Sequence, residues 1–487
     1  MAVQPYLSLI WERCRWMISE RATFILTIAG ACCATLMIVR WISVFRGGPY
    51  VFTTGAEQES LFSVWKSMRG DKVYPNPFEP PFAASYYNWL FYWSYGCFAS
   101  AFRPLQWSSL ALPSTARFLT LALTVASGFL VYALLAPLNF VRRIAGSLVI
   151  ALNPLIGFWS VTVRPDLGAL VCDLAGLWCV TKANRSSAIW LMPALAAFYG
   201  AWAFKQHFVA GLIASCIYLV ASARWKQAFM LGAGAAIAFS VTIACGDAEY
   251  RYVLLESQLS SFGFSLLGAV SNCLDAFLKA PLFALGLISI LASMRKVPLN
   301  LFAIGGAISF ALLLPASAKE LAASNLFFEP AALCSIAFLL AWSEWRIFAA
   351  ALAQLFSPVA IFGGLGLILW GPFGALSALP KPQLSLIEPT VRVLPGPVIV
   401  TESEANLPWF QKRPPYFVVA SSYEFDRRRG KTFAFDGVAG MIRAGLIKVL
   451  VCPRADIEKS FDGIVPASFR KIREDSYWSY FDTAASR

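Results

Sequence analysis

Eleven apolar runs, each close to the length that crosses a bilayer, divide the first 370 residues and leave this chain few ways to fold in water. A membrane-spanning helix needs about 20 apolar residues, with a range of roughly 17 to 25. The runs are Thr23 to Val39, Leu119 to Leu135, Ile144 to Val161, Leu167 to Thr181, Ala188 to Phe204, Phe208 to Ala223, Ala228 to Cys245, Ala280 to Met294, Leu299 to Ser317, Phe327 to Trp345 and Ile347 to Trp370. Composition points the same way. The chain is 58% hydrophobic and 14% charged, with a mean hydropathy of +0.62, a balance that would leave a water-soluble domain with too much exposed apolar surface. The expected fold class is an all-α polytopic membrane bundle of about 11 transmembrane helices.

A further apolar stretch, Phe82 to Phe102, is rich in aromatics (Tyr86, Tyr87, Trp89, Phe91, Tyr92, Trp93, Tyr95) rather than in Leu and Val. Trp and Tyr prefer the membrane interface, so it reads as a juxtamembrane helix lying on the surface. With the N-terminus in the cytoplasm, that choice places Arg142/Arg143, Lys182/Arg185, Arg224/Lys226, Arg295/Lys296 and Arg346 all inside, as the positive-inside rule requires. Arg13, Arg15 and Arg21 precede the first run, which lacks a small-residue cleavage site and reads as a retained span rather than a signal peptide. Most acidic residues then fall outside: Glu57, Glu59, Asp71, Glu79, Asp166, Asp247, Glu249, Glu256, Asp275, Glu320 and Glu329. Acidic residues contribute little to orientation, so their gathering is an independent sign that the chemistry is extracytoplasmic.

After Trp370 prolines cluster (Pro372, Pro380, Pro382, Pro389, Pro395, Pro397) and the chain turns polar. This shift predicts a transmembrane domain over 1–380 and an extracytoplasmic domain over 381–487, whose polar part of about 90 residues is near the size that folds alone. Val398 to Val400, Tyr416 to Ala420 and Ile447 to Cys452 read as buried strands and Gly437 to Gly445 as a helix, giving a small α/β unit.

Several function classes drop out. The net charge of +13 is spread as pairs between apolar runs rather than as one stripe, which argues against nucleic acid. Most of the 11 cysteines sit in apolar runs, and only Cys452 lies in the polar tail, so no disulfide framework is expected. His207 is the sole histidine, which excludes a histidine-built metal site but leaves an oxygen-ligated divalent ion open.

Three segments carry ionisable residues at the outer boundary. The first loop reads Gly55-Ala56-Glu57-Gln58-Glu59, then Gly70-Asp71-Lys72-Val73-Tyr74, Pro80-Pro81 and Tyr86-Tyr87-Asn88. A carboxylate held there can act as general base toward an acceptor hydroxyl, worth about 10²–10⁴-fold; on spacing alone, ordinary surface acids explain it slightly better. The second, Val163-Arg164-Pro165-Asp166, puts Asp166 at a helix start, where it is equally a cap or a site residue. Asp173, two turns deeper, lies inside a span, where it either lines a cavity or is protonated against a neighbouring helix. Lys205, Lys319, Arg164 and Arg251 stand at outer span ends, suited either to a lipid phosphate or to snorkelling. His207 reads first as a hydrogen-bonded helix end, and Asn325 to Glu329 bind sugar hydroxyls or cap a helix.

In order and position these segments resemble the GT-C superfamily of membrane glycosyltransferases, in particular the bacterial relatives of protein O-mannosyltransferases and aminoarabinose transferases. The resemblance runs from about residue 20 to 345, through Glu57, Gly70, Tyr74, Pro80-Pro81, Tyr87, Arg164-Pro165-Asp166, Lys205-Gln206 and Asn325 to Glu329. It implies a GT-C-like bundle and a polyprenyl-phosphate sugar donor, with a glycan, lipid or protein acceptor, in a bacterial inner membrane with a periplasmic site. It implies a first-loop base at Glu57 or, since Gln58 separates two acids, Glu59, with Asp166 as the second-loop acid. Arg164, Lys205, Lys319 and Tyr74 are the expected donor-phosphate ligands, and Tyr87, His207, Asn325 and Glu329 the expected sugar or acceptor ligands. A flippase or transporter of lipid-linked glycans, and an oligosaccharide ligase or polymerase, are the competing readings. The charge sits at the boundary rather than at the midplane between repeated halves, which favours an enzyme.

Overall fold

In a computed structural model of the chain, residues 4–54, 56–102, 111–185, 188–257, 263–293, 300–320, 322–341, 382–391, 393–394, 396–401, 403–411, 416–454 and 469–483 are described. The helices run in chain order α1 (Gln4–Gly47), α2 (Glu57–Arg69), α3 (Trp89–Ala101), α4 (Leu112–Leu134), α5 (Phe140–Leu152), α6 (Asp166–Arg185), α7 (Leu191–Phe204), α8 (Ala210–Ala221) and α9 (Trp225–Cys245). They continue as α10 (Ala248–Arg251), α11 (Leu266–Lys279), α12 (Pro281–Ser293), α13 (Leu301–Ala316) and α14 (Phe328–Ala341). The C-terminal region adds α15 (Pro382–Val391), α16 (Tyr423–Arg428), α17 (Gly437–Arg443) and strands β1 (Val398–Val400), β2 (Val449–Pro453), β3 (Phe469–Glu474) and β4 (Trp478–Thr483).

The chain is mostly helical, but eleven full-length spans are not what the described residues contain. Four helical stretches are long and apolar enough to cross a membrane: Thr23–Tyr50, Leu112–Leu134, Trp225–Cys245 and Ser324–Ala341. A fifth arises if α11 and α12, bent by 107° at Ala280, count as one broken span. Other expected spans are shorter apolar helices. The run Ile144 to Val161 is helical only to Leu152, because Pro154 pushes Asn153 into an extended conformation (φ −59°, ψ 160°). The expected span Ile347 to Trp370 lies outside the described residues. The aromatic stretch forms α3, a 13-residue helix too short to span, capped by the Asn88 side chain accepting from the Trp89 amide.

Small residues set how closely the elements that carry charge approach one another. On α6, a Cβ at Gly168 would meet the Phe204 ring at 2.5 Å, so the start of α6 lies against the end of α7. A Cβ at Gly96 of α3 would meet Ser67 Oγ at 2.5 Å, which brings α2 down onto the aromatic helix. The helix α2 is defined locally. Glu57 and Glu59 occupy its first turn and Lys66 and Arg69 its last, complementing the helix dipole, and Gly70 (φ 76°) closes it by donating to the Lys66 and Ser67 carbonyls.

In the C-terminal region the four strands are ordered β1-β2-β4-β3, with β1 and β2 parallel and the other pairs antiparallel. The strands expected at 398–400 and 447–452 and the helix at 437 are present; Tyr416 to Ala420 is extended but unpaired in the sheet, and β3 and β4 went unpredicted. Instead, the Ala420 amide donates to the Phe82 carbonyl at 2.8 Å. Phe82, a first-loop residue at φ 57°, is fully buried in the C-terminal core with Tyr423, Phe433 and Ile399. Phe82→Leu is expected to loosen this seat by about 1 kcal/mol, seen as roughly fivefold faster limited proteolysis of the C-terminal region.

Candidate functional site

The two first-loop glutamates stand two residues apart on α2, which turns their side chains about 200° from one another. Glu57 points into the bundle and is fully buried. Its Oε2 accepts from the Thr53 amide (2.8 Å), Thr53 Oγ1 (3.0 Å) and Arg117 Nη2 (3.0 Å). Its Oε1 accepts from Arg117 Nε and the Val163 amide, both at 3.1 Å. Burial alone would push this carboxyl up, but the Arg117 charge and these donors hold it below the usual carboxylate range. Arg117, itself buried on α4, also donates to the Gly48 and Val51 carbonyls. With five donors on two oxygens, Glu57 joins α4, the segment after α1 and the second loop, and has little capacity left for a proton.

Glu59 faces the other way. Its Oε1 accepts from the Ser421 amide (2.8 Å) and the Ser421 hydroxyl, while Oε2 is buried with no hydrogen-bond partner. Burial pushes its carboxyl up to about 7, opposed by Ser421 and by the charge of Arg164 nearby. A buried acid poised near neutrality, with one oxygen uncommitted, has the properties of a general base.

Beside it, Asp166 opens α6 and is 1% exposed. Its Oδ1 accepts from Lys205 Nζ and from Asn325 Nδ2 (2.8 Å), and its Oδ2 is buried without a partner. Burial draws Lys205 below its ordinary value against the pull of Asp166. Arg164 donates Nη1 to the Tyr87 hydroxyl and approaches Thr54 Oγ1 through Nη2 at 3.5 Å, with its guanidinium over the Tyr87 and Trp159 rings. His207, its Nε2 unpartnered, stacks on Phe208; burial and the charges of Lys205 and Lys319 hold it well below its ordinary value, hence neutral. Thus Glu59, Arg164, Tyr87, Asp166, Lys205, His207, Lys319 and Asn325 come together, from four separate parts of the chain.

Two expected ligands face elsewhere. Tyr74 is a buried post whose hydroxyl donates to the Tyr87 carbonyl (2.9 Å) and whose ring packs edge-on to Tyr92 and Tyr250. Glu329 lies in the bundle interior, accepting from the Gly211 amide (2.9 Å) and Ser309 Oγ (3.0 Å), close to Asp173. Arg117, Thr53 and Ser421 were missed by sequence reasoning. An arginine in the first turns of an apolar helix was a usable signal for Arg117; nothing marks Ser421. Among the described residues no group of three or more His, Cys, Asp or Glu side chains gathers to hold a metal.

The backbone settles the architecture. The structure is similar to that of ArnT, an aminoarabinose transferase, from Cupriavidus metallidurans bound to undecaprenyl phosphate, with a TM-score of 0.60 and 13% identity over 93% of this chain and 98% of that one. ArnT in the apo state gives 0.58 and 12% over 93% and 97%. The chain has the GT-C fold. The Archaeoglobus fulgidus oligosaccharyltransferase, in complex with zinc and sulfate, shares this fold at a TM-score of 0.52 and 14% identity over 89% of this chain and 68% of that chain. No protein-family model and no curated protein sequence matches the chain, so the GT-C fold is carried here by topology rather than by sequence identity.

Proposed function

We propose that this chain is a glycosyltransferase that moves a sugar from a polyprenyl-phosphate donor to an acceptor hydroxyl at the outer face of a bacterial inner membrane. The observation that carries the reading is one buried cluster in which Glu59 and Asp166 each keep an oxygen without a partner beside Arg164 and Lys205. The shared fold with ArnT, whose structure holds undecaprenyl phosphate, supports the donor class. In the proposed reaction the acceptor oxygen attacks C1 of the sugar and gives its proton to Glu59. The bond from C1 to the phosphate oxygen breaks, and its electron pair leaves with the lipid phosphate. Arg164 and Lys205 neutralise that phosphate, and Asp166 with Asn325 holds Lys205 in place. One displacement at C1 inverts its configuration. His207, neutral, and Tyr87 line the sugar side, and Lys319 adds positive charge at the donor. The reading includes an N-terminus in the cytoplasm, about eleven spans, and a periplasmic domain over 381–487.

Lys205→Met tests the phosphate role. Affinity for undecaprenyl phosphate, measured by native mass spectrometry in detergent, is expected to fall about tenfold, the worth of a charge-assisted contact of roughly 1.5 kcal/mol. Undiminished binding would remove Lys205 from the donor site.

A further inference from the structure

We propose that the C-terminal region is part of the catalytic unit, with Ser421 as the positioning residue that fixes the orientation and charge state of Glu59. This rests on the reading of Glu59 as the base. Two donors from one residue, the Ser421 amide at 2.8 Å and the Ser421 hydroxyl, converge on Oε1 of Glu59 across 362 positions of sequence. That leaves Oε2 as the oxygen without a partner, so Ser421 decides which lone pairs remain for a proton.

The segment around Ser421 is held on both sides. Tyr86 donates its hydroxyl to Ser422 Oγ and accepts from the Ser422 amide, each at 2.9 Å. The Ala420 amide donates to the Phe82 carbonyl, and Tyr416 packs edge-on to Trp65 of α2 at 5.5 Å. Thus the helix that carries Glu59 and the loop beyond it grip one short stretch, 416–423, of the C-terminal region. The grip has an electrostatic consequence. Burial favours the neutral acid at Glu59, and the two Ser421 donors favour the carboxylate. With the region seated and only the Ser421 hydroxyl removed, burial would be opposed by one donor fewer and the base would stay protonated to higher pH. The C-terminal region thus takes part in setting the charge of Glu59 through Ser421.

The test uses the purified full-length chain in detergent and dicyclohexylcarbodiimide, which modifies buried carboxyls in their protonated form. Labelling of the peptide containing Glu59 is followed by mass spectrometry across the neutral range, with Glu59→Gln as the blank. In the unaltered chain labelling is expected to fall with a midpoint near pH 7. Ser421→Ala is expected to raise that midpoint by about one pH unit, so that labelling at pH 7.5 increases about threefold. Ser421→Thr, which keeps the hydroxyl, is expected to match the unaltered chain, and Ser421→Cys, a weaker donor of similar size, to fall between. An unchanged midpoint in Ser421→Ala overturns the proposal, as does one in Ser421→Cys should the alanine variant fail to fold. In a transfer assay with undecaprenyl-phosphate-linked monosaccharides, Ser421→Ala should move the acid limb upward by the same amount while leaving the donor KM unchanged. Labelling reads the hold of Ser421 on Glu59 whether or not Glu59 is the base, and loss of transfer in Glu59→Gln reads the base itself. The two ideas can therefore fail separately.

Discussion

Replacing Arg117 with Met is expected to destabilise the chain by about 3–5 kcal/mol, the cost of leaving a buried carboxylate without its counter-charge. The guanidinium is 1% exposed and Glu57 is fully buried, so water screens neither. Three donors would remain on Glu57, from Thr53 and Val163, but none carries a charge. The Gly48 and Val51 carbonyls would lose their donor as well. The double variant Arg117→Met with Glu57→Gln removes both charges together and is expected to recover part of the loss, since a neutral pair avoids the stranded ion. Thermal unfolding in detergent should rank the unaltered chain first, the double variant second and Arg117→Met last. Acidity supplies a second readout. Glu57 titrates below the ordinary 4.5 when folded, so its stabilising contribution is present above about pH 4.5 and is lost as pH falls through the lower folded value. Arg117→Met should abolish that acid-side dependence. A variant melting within about a degree of the unaltered chain would mean that the clasp is not structural.

This clasp also shows where reading the sequence stopped short. Glu57 and Glu59 were legible as acids in the first loop because the loop sits between apolar runs, yet which one faces a substrate depends on α2 being a helix. On a helix, neighbours two apart point away from each other, so one acid was bound to meet the bundle and the other the C-terminal region. The place of Arg117, just ahead of the run read from Leu119, marks it as a charge to be paired, but nothing local names Glu57 as the partner it takes. Lys205 and Asp166 were legible as charges at the same boundary, and Gly168 on the Phe204 ring is the packing detail that makes them partners. Glu329 misled because its position one turn from Asn325 suggested a shared site; Asn325 reaches Asp166 while Glu329 turns toward α8 and α13. The span count is a different case, since four helical stretches, or five with the bent pair, are long and apolar enough among the described residues. Hydropathy registers how apolar a run is and not where the helix breaks, and the proline at 154 shortens a run that reads as continuous.

Glu59→Gln is expected to lower sugar transfer by about 10²–10⁴-fold, the usual contribution of a positioned general base, while leaving the fold intact. The substitution keeps the shape of the side chain and a carbonyl oxygen for the Ser421 donors, and it removes a buried charge that has one oxygen without a partner. Stability should therefore hold or rise slightly. Only the ionised acid can accept the acceptor's proton, and burial sets Glu59 near 7, so transfer by the unaltered chain should climb as pH rises through about 7 and level off above it. The residual activity of Glu59→Gln should lack that climb, which separates loss of a base from loss of a binding contact. Glu57→Gln is expected to behave in the opposite manner: it weakens the Arg117 clasp, lowers the melting temperature and reduces transfer only as far as folded protein is lost. Should Glu57→Gln abolish transfer at full stability while Glu59→Gln spares it, the proton must go to Glu57. Glu57 would then have to give up donors from Arg117, Thr53 or Val163 during the reaction, and the electrostatic role assigned to Ser421 would serve no catalytic step.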